Sequence, residues 1–91
     1  MGIRNKSMEW LINRANYLRE KIRAYEIILN SIRSLQMENR DSMAFVEACE
    51  AAIKTVESQK EYTALSLKTI EEEIDRRTVR TPGATPSSNS Q

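Results

Sequence analysis

The sequence predicts an all-α fold: an antiparallel two-helix hairpin, a helical coiled coil that self-association completes into a four-helix bundle. Three observations carry that expectation. From Met8 to Ile32, apolar residues recur at alternating spacings of three and four, which draws one seam down a helix of roughly seven turns. A second seam runs from Val46 through Cys49, Ile53, Val56, Leu67 and Ile70 to Ile74, out of phase with the first, because continuing the first seam lands on Gln36, Asn39, Glu50 and Glu57. The phase slips at Glu38-Asn39-Arg40-Asp41-Ser42, a run of turn and cap formers. One continuous helix with a stutter is the competing reading of the same slip.

The elements follow in order. Residues 1–7 form a polar lead in which Asn5 or Ser7 caps the first helix and Glu9 favours its first turn. The first helix spans 8–37, free of Gly and Pro and rich in Leu, Arg, Glu and Lys. The turn occupies 38–42. The second helix spans 43–77, with Asp41 or Ser42 as its cap and Glu47 early in it. The stretch 78–91 changes composition abruptly to Pro, Gly, Ser, Thr, Asn and Gln, the signature of a flexible tail.

Folding the chain back at Asn39 sets the seams against each other, with Leu11 on Leu67, Ile22 on Val56 and Leu29 on Cys49. The same register brings Ile28 to Ala52, Leu35 to Phe45 and Ile12 to Ala64 on the flanks, places Arg19 near Glu57, and sets Glu26 beside Glu50. Two layers are poor, Ala15 on Thr63 and Leu18 on Lys60. A lysine on a seam is expected to run its ammonium along its own stem to water, or else to mark a specificity layer.

Composition excludes more than it identifies. The chain of 91 residues has no His and one Cys, so it lacks the commonest general acid-base and cannot assemble a four-ligand zinc site from His and Cys. Cys49 reads as an inert core thiol in a reducing compartment. No glycine loop cradles phosphate, and the run Glu71, Glu72, Glu73 and Asp75 reads as a solvated face. The chain is therefore expected to be non-enzymatic, with no cofactor, no metal and no small-molecule substrate. Lacking an apolar run long enough for a signal peptide or a membrane span, it is expected to be cytoplasmic with no membrane partner. Residues 1–37 carry seven positive and three negative charges and residues 38–75 carry four and ten, so the halves neutralise each other within a hairpin.

Apolar groups remain off the seams: Trp10 and Tyr17 on one stripe of the first helix, Tyr62 and Leu65 on the second, and Ile27 on the outer face. A lone hairpin cannot cover them, so they are the candidate partner-binding residues, first for a second copy and then for another protein. The expected function is a protein-binding or assembly module: a small chaperone, adaptor or inhibitor, of a virion or secretion system for example. The alternative uses Arg14, Arg19, Lys21, Arg23 and Arg33 along the first helix. In architecture such a dimer of hairpins resembles the plasmid Rop protein, and the resemblance implies RNA or DNA binding through the basic helix, with an overall charge of +1 giving it little general support.

Overall fold

The computed structural model describes residues 2–79, so the tail predicted for 78–91 lies outside the described residues beyond its first two positions, which are helical. A 3-10 turn, Gly2–Asn5, leads into helix α1, Met8–Glu38, and the loop 39–42 connects it to helix α2, Met43–Val79. The two helices pack against each other as a hairpin, and no strand occurs among the described residues. The turn reading therefore holds against one continuous helix.

Each helix end is closed by the residues around it. Ser7 accepts the backbone N–H of Trp10 at 3.0 Å, which identifies it rather than Asn5 as the cap of α1. At the other end Asn39 donates its backbone N–H to Leu35 at 3.0 Å and its side-chain amide to the same carbonyl at 2.8 Å. Those bonds satisfy carbonyls that the last turn leaves open, without a glycine. Ser42 then caps α2, accepting the N–H of Phe45 at 3.3 Å.

The core is densest at the open end of the hairpin. Leu11, Ala15 and Leu18 are buried against Ile70, and Ile3, Met8, Leu67 and Ile74 pack around them. Leu11 is 0% exposed, and burying a leucine fully stabilises by about 1.5–3 kcal/mol. Nearer the turn Leu29 and Cys49 are buried, while Ile22, Tyr25, Ile53 and Val56 between the two regions are only half-buried. The hairpin is thus tightest toward its ends and more open at its waist.

The register differs from a fold-back at Asn39. The loop is centred beyond that residue, and every recorded side-chain contact between the helices reaches further along α2: Gln36 to the Val46 carbonyl, Glu26 to Lys60, Arg33 to Glu57 and Arg19 to Glu71. Side chains leaning toward the N-terminus of their own helix extend that reach, and a slide of roughly half a heptad to one heptad accounts for the rest. Ala15 and Leu18 share a buried cluster with Ile70, against which Leu67 packs. Thr63 is buried all the same, its hydroxyl donating to the Gln59 carbonyl one turn back at 2.8 Å. Lys60 reaches out of the seam to Glu26 at 3.3 Å, so Glu26 gains a cation where repulsion from Glu50 was expected. Ile28, Leu35, Phe45 and Ile12 stay exposed, since two helices form a single layer and their flanks have no second layer above them.

Leu11→Ala is expected to cost about 2–5 kcal/mol in urea denaturation followed by circular dichroism, whereas Ile27→Ala on the outer face is expected to change stability by less than about 0.5 kcal/mol.

Candidate binding faces

The sequence sorts the flanks of the seams before any contact is considered. In an antiparallel pair, residues just after the second apolar position of each step share one side of the hairpin, and residues just before the first share the other. The first set is Ile12, Arg19, Glu26 and Arg33 with Glu50, Glu57, Ala64 and Glu71; the second is Arg14, Lys21, Ile28 and Leu35 with Phe45, Ala52, Gln59, Ser66 and Glu73. The structure puts the interhelical ion pairs on the first side: Arg19 to Glu71 at 2.8 Å, Arg33 to Glu57 at 2.8 Å and Lys60 to Glu26 at 3.3 Å. Arg19 and Glu57, expected together, thus belong to different bridges. These pairs are about half exposed, so each contributes well under about 1 kcal/mol and acts more on register than on stability.

Toward the loop, the opposite side is nearly free of charge. Between Ala24 and Thr69 its one charged residue is Glu38, beside the loop. Trp10, Tyr17, Ile28, Leu35, Phe45 and Tyr62 all lie on it and all are exposed, from 37% for Trp10 to 70% for Tyr62. Small residues, Ala24, Ser31, Ala48 and Ala52, lie between the large ones. Of the five candidate partner-binding residues, Trp10, Tyr17 and Tyr62 share this side, while Ile27 and Leu65 occupy the outer edges and are also exposed. Ile12, Met37 and Met43 are exposed apolar residues on the charged side. Ile28, Leu35 and Phe45 belong with the candidate residues, and their flank positions were the signal; they were assigned to the core because the hairpin was given more width than two helices possess.

Cations at the open end of the uncharged side sit on its aromatic rings. The Lys6 ammonium lies 5.0 Å from the Trp10 ring centre, the Arg14 guanidinium 4.9 Å from that of Tyr17, and the Lys21 ammonium 5.8 Å from the same ring. None of these three cations pairs with a carboxylate among the described residues. The basic residues of α1 are therefore divided: Arg14 and Lys21 on the aromatic side, Arg19 and Arg33 in bridges on the charged side, and Arg23 exposed on that same side. They make no continuous basic stripe.

Glu73 corrects an expectation. The run 71–75 was read as solvated, yet Glu73 is 4% exposed. It sits next to the seam at the open end, and Arg76 and Arg77 both pair with it, the latter at 2.7 Å. Arg77 also donates to the carbonyls of Ile3 and Arg4 at 3.3 and 3.1 Å, which pins the 3-10 turn across the end of α2. Sequence reading missed this clamp because its parts are more than 70 residues apart.

Among the described residues no group of three or more His, Cys, Asp or Glu could hold a metal ion, and no helix is long and apolar enough to cross a membrane. The chain matches no protein-family model, no curated protein and no solved structure.

Arg77→Gln removes the donors that hold the first turn. Amide exchange at residues 3–7 is expected to accelerate at least about fivefold, corresponding to about 1 kcal/mol of lost local stability, while exchange in the middle of α1 stays unchanged.

Proposed function

We propose that this chain is a non-enzymatic protein-binding module that works in the cytoplasm, pairing first with itself into a four-helix bundle through the uncharged side of its hairpin and then, as that assembly, with a target protein. One observation carries the reading: large apolar side chains gather on the side of the hairpin opposite its ion pairs. Exposed apolar residues scattered singly over a surface need no explanation, whereas aromatic and aliphatic residues collected along one nearly charge-free side match the composition of an interface centre.

The mechanism is burial. Trp10, Tyr17 and Tyr62 are the anchors, because large rigid rings release much water for little lost side-chain entropy. Ile27 and Leu65 on the outer edges extend the contact. The charged side remains hydrated and keeps the assembly soluble, and a helical target segment takes the exposed apolar residues that self-association leaves uncovered. A small chaperone, adaptor or inhibitor fits this description. The division of the basic residues between two sides favours protein over nucleic acid as the partner, since salt-sensitive binding to RNA or DNA needs them together.

Trp10→Ala is expected to weaken association by roughly tenfold or more in sedimentation equilibrium while leaving the urea midpoint nearly unchanged. Unchanged association with a large loss of helix content would instead make Trp10 a core residue. Arg19→Glu combined with Arg23→Glu is expected to leave association nearly intact, and the ultraviolet absorbance ratio of the purified protein is expected to show no bound nucleic acid.

A further inference from the structure

We infer that the occupant of the uncharged side is a second copy of this chain laid antiparallel, the open end of each hairpin against the loop end of the other. The inference rests on the proposed self-association and specifies its geometry. Charge decides the orientation. Lys6 and Arg14 toward the open end, and Lys21 near the middle of α1, are cations without a carboxylate partner among the described residues, whereas the loop end carries Glu38 and Asp41, neither of them paired with a cation among the described residues. Arg40 between those acids turns back toward the Met37 carbonyl at 3.5 Å. A parallel arrangement sets the three cations of one copy against the same three of the other, which like-charge repulsion opposes. The antiparallel arrangement sets Lys6 and Arg14 over an uncharged or acidic surface, twice, through one two-fold axis, and brings only the two Lys21 residues near one level beside that axis.

Shape agrees with charge. Antiparallel overlap of two α1 helices brings Trp10 to the level of the other copy's Leu35, and Tyr17 to the level of its Ile28. There Ser31, Ala48 and Ala52 are the neighbouring small residues.

The helix dipoles supply a separate argument. Lys6 stands just before the N-cap of α1, where its charge opposes the positive end of that helix, and Glu38 is the last residue of α1, at the negative end, in a last turn without a basic residue. Each charge is unfavourable for its own helix. Across the antiparallel interface the two meet at nearly one level, and the unfavourable placement within the chain becomes a favourable pair between chains.

The test uses the full chain with Cys49→Ala and one spin label at Asn13→Cys or Ser34→Cys, both on the outer face. Pulsed dipolar spectroscopy is expected to give an axial separation of roughly 30 Å between two Asn13 labels, and a much shorter distance in mixed dimers labelled at Asn13 on one copy and Ser34 on the other. A short Asn13-to-Asn13 distance in a stable dimer overturns the orientation and leaves self-association standing. A monomer in sedimentation equilibrium at 100 micromolar overturns both. Charge reversal gives an independent readout: Glu38→Lys is expected to weaken the dimer by roughly tenfold although it suits the α1 dipole, and Lys6→Glu in the same chain is expected to restore most of the loss. Absence of that rescue counts against the Lys6–Glu38 contact. If urea denaturation shows both variants folded, a loss of dimer is assigned to the interface.

Discussion

Leu11, Ala15 and Leu18 packing on Ile70 is the contact on which the rest of the hairpin depends. It is the largest continuous piece of buried apolar surface, and it lies at the end of the hairpin furthest from the covalent connection. The loop holds the helices together at one end whatever else happens. At the open end this cluster resists fraying where the ion pairs along the charged side are too exposed to do so. The 3-10 turn, pinned by Arg77, adds Ile3 to the cluster's edge.

Two helices form one layer, and a layer has two sides to account for. In this chain the sides differ: one is laced by ion pairs and hydrated, the other apolar with few charges. The same asymmetry that leaves the hairpin short of core gives it a surface with a definite chemistry. Stability and binding are thus linked through one set of residues, since whatever covers Phe45, Leu35 and Ile28 also supplies the burial that a 91-residue chain has difficulty reaching alone. The half-buried waist belongs to the same account. Lys60 occupies a seam position there and is drawn aside by Glu26, which lowers core density while helping to fix the register.

The clamp at the open end shows how a charged residue becomes buried without an apolar position in the sequence. Glu73 precedes Ile74 in the seam, and on an isolated helix it would be solvated. The first turn of the chain returns across it, and Arg76 and Arg77 supply the compensation that a buried carboxylate requires. Burial of Glu73 therefore goes with the meeting of the first turn and the last turns of α2.

The fold class, the two helices, the turn between them and the caps were legible in the sequence, because each depends on neighbours within a few residues: Ser7 reaching Trp10, Ser42 reaching Phe45, apolar residues at spacings of three and four. The separation of Trp10, Tyr17 and Tyr62 from the seam was legible for the same reason. Only the tertiary structure decided the register, the identity of the ion pairs and the burial of Glu73. A seam that repeats every seven residues scores almost equally well when slid by part of its period, so its apolar pattern leaves several registers close in energy. The loop's true centre, beyond Asn39, selects among them, and from that selection follow Arg19 on Glu71 and Arg33 on Glu57, while the flank of apolar residues stays exposed because two helices make one layer.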